Sequence, residues 1–251
     1  MASLAARLSR AGCVAAEDEA HELLAAAGDD PVALGVLLAR REAGEPLAWV
    51  TGQTRFGDLS VRLDPGVYVP RWQSIPLARR AGARLPAHGC ALDLCTGSGA
   101  IAATLSATRP LARVIGIDSD ERAVACARAN GVEAHRGDLY DAVPRAVLGA
   151  VDVVVSVPPY VPTPALALLP RDTLAFEASA HYDGGPDGTD VLRRVVAGAP
   201  DVLRRGGCLL LEVGGTQADA LAPVLARYGF DAVDVWADED GDTRGLEAVL
   251  D

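Results

Sequence analysis

The sequence predicts an α/β fold in which a mostly parallel, doubly wound sheet follows a small helical N-terminal domain. Strand-like and helix-like segments alternate with short loops from Cys90 onward, and this alternation is typical of parallel sheets covered by helices. A glycine-rich loop, Thr-Gly-Ser-Gly at 96–99, follows the first of these strands. The last two strand-like segments, near 231–236 and 244–250, have no helix between them, which indicates an antiparallel addition at one edge of the sheet.

The first 75 residues are organised differently from the rest. Residues 14–43 have helical spacing, and Asp30-Pro31 within them is an N-cap followed by proline at the first helical position. From Leu47 to Val69, alternating residues flank the turn at Gly57-Asp58, a pattern that predicts a hairpin. We therefore expect a helical N-terminal domain at 1–46, a β-hairpin linker at 47–75 and the main domain at 76–251.

Each element of the main domain has its own signal. Strands are predicted where β-branched and aliphatic residues run together, and helices where apolar residues recur every three or four positions. The predicted strands are 90–95, 112–118, a short one before Gly137, 149–157 and 206–214. The predicted helices follow the glycine loop and occupy 119–130, 188–203 and 217–229.

Composition disfavours several classes of function. The net charge of -11 disfavours loose attraction to nucleic acid, and we expect no nucleic-acid partner. All 23 basic residues are arginine, which excludes lysine chemistry such as Schiff bases. The five cysteines lack metal-ligand spacing, so no metal site is expected. No apolar stretch reaches the ~18 residues that span a bilayer, and we expect a cytoplasmic protein with no membrane partner.

Three features at predicted strand ends indicate a nucleotide-like cofactor, because doubly wound sheets bind ligands at the carboxyl ends of their strands. Gly97 and Gly99 let the backbone pass close to a ligand, and the helix that follows adds oriented N–H groups. Asp118 ends the second strand, where a carboxylate can take both hydroxyls of a ribose, and Asp138 can meet an adenine amine. The glycine pattern also fits a dinucleotide, so it leaves two cofactors open.

Longer segments resemble one family. The segments are GEPLAWVTGQTRFGDLSV, LDLCTGSGAIA, IGIDSDERAVACARAN, GDLYDA, DVVVSVPPYVP, YDGGPDGTDVLRRV and GGCLLLEVGGTQ. Together they are similar to the HemK-like protein-glutamine N5-methyltransferases. This resemblance covers the chain from about residue 35 to its C-terminus. It implies a class I methyltransferase (Rossmann-like) fold that uses S-adenosylmethionine to methylate the Gly-Gly-Gln loop of peptide release factors.

The resemblance also implies which residues bind the cofactor, and all of them lie in three strand-end loops. They are Asp93, Cys95, Thr96, Gly97 and Gly99 at the methionine and ribose end, Asp118 and Ser119 at the ribose, and Asp138 and Leu139 at the adenine. These segments match the family pattern closely.

The segments that would hold the methyl acceptor depart from the family pattern. The family has Asn-Pro-Pro-Tyr after its fourth strand, and the Asn side chain and the next carbonyl hold the acceptor amide. Here Val157 stands in the Asn position, before Pro158, Pro159 and Tyr160. Valine cannot accept a hydrogen bond, so an amide nucleophile loses a contact of ~1 to 3 kcal/mol. Residues 70–75 read Pro-Arg-Trp-Gln-Ser-Ile where the family has Pro-Arg-Pro-Glu-Thr-Glu.

These departures predict a changed acceptor, a planar or apolar small molecule. His181 is the candidate base if the nucleophile must lose a proton. The candidate substrate-binding residues are Arg71, Trp72, Glu177 and Tyr182.

Three other functions stay open. The first is retained methylation of a release-factor glutamine, with the Pro158 carbonyl acting alone. The second is methylation of an amino group on a nucleic-acid base. The third is a pseudoenzyme that binds the cofactor and transfers no methyl group.

Overall fold

The computed structural model describes residues 2–169 and 171–251, and within them the chain begins with four helices. These are α1 (Ala2–Arg10), α2 (Ala16–Ala27), α3 (Pro31–Glu42) and α4 (Leu47–Thr51). Leu8, Leu23 and Leu38 of the first three helices are buried in a separate apolar cluster. Asp30 caps α3 by accepting hydrogen bonds from two backbone N–H groups, as its position before Pro31 predicts.

The segment after α3 differs from the predicted hairpin in its first turn. Residues 47–51 are helical, because one helical turn buries three consecutive apolar side chains that a half-exposed strand cannot bury together. Trp49 in this turn donates from Nε1 to the Val67 carbonyl oxygen at 2.9 Å. The hairpin itself is β1 (Gln53–Phe56) and β2 (Leu59–Arg62), closed by the predicted turn at Gly57-Asp58. Helix α1 lies before the helical spacing that the sequence shows from residue 14.

Seven strands form the main sheet within the described residues. They are β3 (Cys90–Leu94), β4 (Arg113–Asp118), β5 (Glu133–Arg136), β6 (Val151–Ser156), β7 (Leu203–Glu212), β8 (Phe230–Ala237) and β9 (Thr243–Leu250). Their order is β5-β4-β3-β6-β7-β9-β8, and β3 to β7 run parallel. Strand β9 runs antiparallel to β7 and β8. The structure therefore confirms the predicted α/β sheet with an antiparallel addition at one edge.

Helices cover both faces of this sheet. They are α5 (Ile75–Arg84), α6 (Ala100–Thr108), α7 (Glu121–Ala129), α9 (Asp190–Gly198) and α10 (Gln217–Arg227). A further short helix, α8 (Arg171–Phe176), lies in the segment between β6 and α9. Leu192 and Leu221 of α9 and α10 pack on one face, and Leu77 and Leu105 of α5 and α6 pack on the other. Strand β6 is buried on both faces, which accounts for its continuous apolar sequence. No described helix is long and apolar enough to cross a membrane.

The region between α9 and β7 differs from the prediction. The predicted helix 188–203 ends at Gly198, because Pro200 lacks the N–H group that a continuing helix needs. Strand β7 then starts at Leu203, three residues before the predicted strand.

Asn130 joins the hairpin to the glycine loop and to the end of α7. Its Nδ2 donates to the carbonyl oxygens of Arg62 and Ser98, at 2.9 Å each, and its Oδ1 accepts from the Arg62 N–H at 2.9 Å. One side chain therefore fixes β2 against the loop that follows β3.

Replacing Asn130 tests this connection. Asn130→Ala removes three hydrogen bonds and should lower the free energy of unfolding by about 2 kcal/mol, which lowers Tm by roughly 4 to 8 °C in a chain of this size. Ser60→Ala, on the same hairpin, removes one exposed hydrogen bond to Gln53 and should shift Tm little. Thermal unfolding followed by circular dichroism measures both, and equal shifts would contradict the assignment.

Candidate functional site

The carboxyl ends of the parallel strands open into one cavity of about 630 Å³. Its floor comes from the ends of β3, β4, β6 and β7, and its opposite wall from residues 67–73 and 178–182. The predicted residues on its surface are Arg71, Cys95, Gly97, Asp118, Ser119, Val157, Pro158, Pro159, Tyr160, His181 and Tyr182. Ligand cavities are commonly ~300 to 1,000 Å³, so this volume suits a nucleoside-sized cofactor and a small acceptor group together.

The two glycines of the loop after β3 have different roles. Gly97 has φ +56° and faces open space, where a side chain would meet nothing within 4 Å, so a ligand can approach its backbone. Gly99 has φ +80°, and a Cβ there would lie 2.9 Å from Val132 and 3.0 Å from Ala127. The first glycine therefore fits the expected cofactor contact, whereas the second is required for packing the loop against α7.

Asp93 holds this loop from behind. The side chain is 1% exposed, and its Oδ2 accepts from Thr96 Oγ1 at 2.6 Å and from the Ala102 N–H at 3.1 Å. Burial raises the pKa of Asp93 to about 7. The structure thus places Asp93, and the Thr96 hydroxyl that it binds, behind the loop and not on the described cavity wall. Asp93 thus accepts hydrogen bonds from the Thr96 hydroxyl and the Ala102 N–H, which are buried behind the loop.

Asp118 faces the cavity from the end of β4. Its Oδ2 accepts from the Gly97 N–H and its Oδ1 from the Asp120 N–H, both at 2.9 Å. Burial raises the pKa of Asp118, and the two backbone donors oppose that rise. The carboxylate is held in one orientation, and each oxygen keeps a second lone pair for a ligand hydroxyl. This arrangement fits the expected ribose contact.

The structure does not bring Asp138 and Leu139 to the described wall of this cavity. Asp138 Oδ2 accepts from Arg194 Nη2 at 2.7 Å, and both side chains are 55% exposed. Leu139 is buried in the core. The thiol of Cys95 has its pKa raised to about 12 by burial, with Asp138 among the negative charges that add to the rise. Asp138 is therefore near the cofactor loop but paired with Arg194, and its carboxylate does not line the described cavity.

Two prolines end β6 beside the cavity, because they have no N–H to continue the ladder. The backbone that follows is tightly held. Gln217 Nε2 donates to the Tyr160 carbonyl oxygen at 2.7 Å. Gly184 approaches from the loop before α9, where a Cβ would lie 2.8 Å from the Pro159 carbonyl oxygen. The backbone at Pro159 and Tyr160 is consequently held in place before any acceptor arrives.

Three of the predicted substrate-binding residues bind one another. Arg71 Nη2 lies 2.5 Å from Glu177 Oε1 and 2.7 Å from Tyr182 Oη. Glu177, whose side chain is 2% exposed, also accepts from the Val69 N–H at 3.3 Å. This cluster joins the segment before α5 to the loop after α8 and supports the cavity wall. The fourth residue, Trp72, is 69% exposed and is not part of the described wall, since the turn at 72–74 directs it to solvent.

Three buried polar atoms on the cavity wall have no hydrogen-bond partner among the described residues: Gln73 Oε1, His181 Nδ1 and Glu212 Oε2. The other oxygen of Glu212 accepts from the Tyr160 hydroxyl at 2.8 Å, and burial raises the pKa of Glu212. A carboxylate and an amide oxygen are both acceptors. The cavity therefore offers unpaired acceptors to whatever it binds.

His181 stands near the ribose side of the cavity. Its charge opposes the rise in the pKa of Asp118 and contributes to lowering that of Asp120. Its ring meets the Tyr68 ring edge-on, with the centroids 6.3 Å apart. The position is compatible with a contact to the cofactor as much as with the predicted role of base.

Gln73 and Glu212 line the cavity but were not among the predicted site residues. Gln73 lies in segment 70–75, which differs from the family pattern, and nothing in that segment distinguished Gln73 as a site residue. Glu212 carried a usable signal, because an acid that ends an apolar strand, LLLE, projects at the same sheet edge as Asp118.

Comparison with known proteins identifies relatives of this chain. A family model described as methyltransferase small domain matches residues 79–175. The release factor glutamine methyltransferase of Geobacter sulfurreducens is 36% identical over 198 residues, which cover 77% of this chain and 69% of that protein. The release factor glutamine methyltransferase of Cereibacter sphaeroides is 33% identical over 269 residues, which cover 97% and 95% of the two chains.

Solved structures share the fold. The T. thermophilus 16S rRNA N2 G1207 methyltransferase in complex with AdoMet and guanosine has a TM-score of 0.53 and 18% identity, covering 79% of this chain and 44% of that one. The ribosomal protein L11 methylase from Lactobacillus delbrueckii subsp. bulgaricus has a TM-score of 0.54 and 16% identity, covering 76% and 86%. These likenesses support the class I methyltransferase fold that the sequence predicts.

Calorimetry with S-adenosylmethionine tests the cavity as a cofactor site. Asp118→Ala should weaken binding by about 2 kcal/mol or more, roughly 30-fold in Kd, because it removes a buried charge-assisted contact and the support of the Gly97 N–H. Asp64→Ala removes an acid that pairs with Arg62 at the surface and should leave Kd unchanged. Equal affinities of the Asp118 variant and the wild type, or tighter binding of NAD, would contradict the assignment.

Proposed function

The chain belongs to the release factor glutamine methyltransferase family, and on that premise we propose that it methylates the side-chain amide nitrogen of a glutamine in a release factor. The family and the fold make it an S-adenosylmethionine-dependent methyltransferase. What we propose beyond this activity is the methyl acceptor, a glutamine of a release factor.

One observation supports the choice of acceptor: the buried atoms Gln73 Oε1 and Glu212 Oε2 have no partner among the described residues, and both can only accept hydrogen bonds. A primary amide brings two N–H donors on the nitrogen that must be methylated. Buried polar groups bind partners that satisfy them and disfavour apolar ones, which leave them unpaired. The wall of the cavity is therefore suited to a carboxamide.

The residues of the cavity divide between holding the cofactor and orienting the acceptor. S-adenosylmethionine supplies an electrophilic methyl group on a sulfonium. In this proposal Asp118 and the open backbone at Gly97 hold its nucleoside part, which their positions on the cavity wall support. We propose that the carbonyl of Pro158 and the ring of Tyr160 orient an amide above the end of β6 and exclude water from it, and the cavity lining supports this because both residues belong to it.

A planar or apolar small-molecule acceptor is the alternative that the sequence predicts from Val157 and Trp72. Trp72 points to solvent, and the buried carboxylate of Glu212 would be left unpaired beside an apolar occupant. We therefore prefer the glutamine acceptor.

Methyl transfer from labelled S-adenosylmethionine tests the proposal. Four acceptors are compared: a release factor with its Gly-Gly-Gln loop, the same factor with that glutamine changed to glutamate, an adenine-containing oligonucleotide, and a small-molecule extract. We expect label only on the first, at a turnover on the order of 1 per second or faster, with mass spectrometry placing one methyl group on the glutamine side chain.

Other outcomes have distinct meanings. Label on the oligonucleotide would replace the proposed acceptor by a base amino group. Label on components of a small-molecule extract, with none on the release factor, would restore the small-molecule alternative. Cofactor binding without transfer to any of these would indicate a pseudoenzyme.

A further inference from the structure

We infer that Glu212 is a further catalytic residue, whose Oε2 accepts a hydrogen bond from the acceptor amide nitrogen and so makes the contact that Val157 cannot make. The inference rests on the proposed function, because it concerns the glutamine amide. It adds a residue and a chemical role to that site.

The sheet register places Glu212 next to Val157. The last pair between β6 and β7 is Ser156 with Leu211, so Val157 and Glu212 occupy the next position on each strand. Neighbouring strands lie ~4.8 Å apart, and residues at matching positions point to the same face of a sheet. The carboxylate of Glu212 therefore lies on the face that the Val157 side chain occupies, and both line the cavity.

The protein holds one side of this carboxylate and leaves the other open to the cavity. Glu212 is 4% exposed, and its Oε1 accepts from the Tyr160 hydroxyl at 2.8 Å. The nearby Ser74 hydroxyl opposes the rise in the pKa of Glu212 that burial causes. The nearby Arg244 forms its ion pairs with Asp238 and Asp242. No partner for Oε2 exists within residues 2–169 and 171–251.

Glu212 Oε2 has no partner within the described part of the chain, in part because its neighbour Val157 has no hydrogen-bond donor. A side chain with an N–H donor at position 157 could bond to Glu212, whereas valine has none. A buried carboxylate oxygen without a donor costs free energy, and an acceptor amide that supplies the donor recovers it. Binding of an amide is thereby favoured over binding of an ester or an apolar group.

In this role Glu212 both orients the acceptor amide and takes up the proton that methyl transfer releases. One amide N–H donates to the Pro158 carbonyl and the other to Glu212 Oε2, which fixes the plane of the amide. The nitrogen electron pair forms the new N–C bond while the methyl C–S bond breaks and its electrons stay on sulfur. The nitrogen then loses one proton, which passes along the hydrogen bond to Glu212 and leaves as the product departs.

The dependence of kcat on pH distinguishes a catalytic from a purely structural role of Glu212, because a structural residue would not determine the acid limb of the profile. Glu212 must be ionised to take up the proton that the nitrogen loses, so kcat falls as pH drops through its raised pKa. The other ionisable groups that face it are Tyr68, Tyr160 and Arg244; burial raises the pKa of both tyrosines, and the guanidinium stays charged, so these three do not titrate in that range. Glu212→Gln should remove this acid limb.

The decisive experiment measures kcat on a Gly-Gly-Gln peptide for the wild type, Glu212→Gln, Glu212→Met, Val157→Asn and the double variant Val157→Asn/Glu212→Gln. Glu212→Gln should lower kcat by about 10-fold or more, with the Kd for S-adenosylmethionine unchanged. The double variant should recover most of that loss, because the Asn oxygen supplies an acceptor on the same face. The Gln side chain in Glu212→Gln keeps one oxygen, which could still accept the peptide N–H. Glu212→Met removes both oxygens and therefore excludes this contact.

Glu247→Gln is the matched control, because Glu247 is equally buried but pairs with Arg84 away from the cavity. Thermal unfolding of every variant separates loss of fold from loss of chemistry. Unchanged kcat in both Glu212 variants, or no recovery in the double variant, would overturn the inference while leaving the proposed function intact. Absence of transfer to the peptide by the wild type, with cofactor bound, would instead overturn the proposed function and this inference with it.

Discussion

Buried carboxylates need hydrogen-bond donors, and this requirement organises the edge of the sheet on which the site is built. Asp93 takes its donors from the glycine loop, Asp118 from two backbone N–H groups, and Glu177 from Arg71. Each pairing fixes one segment of the cavity: the loop after β3, the end of β4 and the wall after α8. Glu212 departs from this pattern, because one of its oxygens has no donor among the described residues. Of these four carboxylates, Glu212 is the one with a buried oxygen left for the acceptor to pair.

The two halves of the cavity are assembled by different kinds of contact. The cofactor half is made of loops that directly follow β3 and β4, so residues close in sequence build it. The acceptor half depends on long-range contacts, since Arg71 and Glu177 are separated by 106 positions and Tyr160 and Glu212 by 52. Changes in the acceptor half can therefore leave the cofactor half intact, which agrees with a chain that keeps the cofactor segments of its family and departs from the family in the acceptor segments.

That difference also explains how much the sequence could predict. The strand and helix alternation, the hairpin turn, the open Gly97 and the inward Asp118 follow from local patterns, and the structure has them where the sequence places them. The helical turn at 47–51 was missed because its burial depends on Trp49 reaching Val67. Asp138 forms an ion pair with Arg194, and Glu212 lies beside Val157 at the end of β6. Both partners are distant in sequence, so local sequence patterns could not predict these contacts.

The central claim is that the acceptor nitrogen lies between the carbonyl of Pro158 and the free oxygen of Glu212. A crystal structure with S-adenosylhomocysteine and a Gly-Gly-Gln peptide tests it most directly. We expect the glutamine amide nitrogen to lie within hydrogen-bond distance of both oxygens, roughly 2.7 to 3.2 Å, with the amide plane against Tyr160. A peptide amide bound elsewhere, with Glu212 Oε2 bonded to another part of the protein, would contradict the claim.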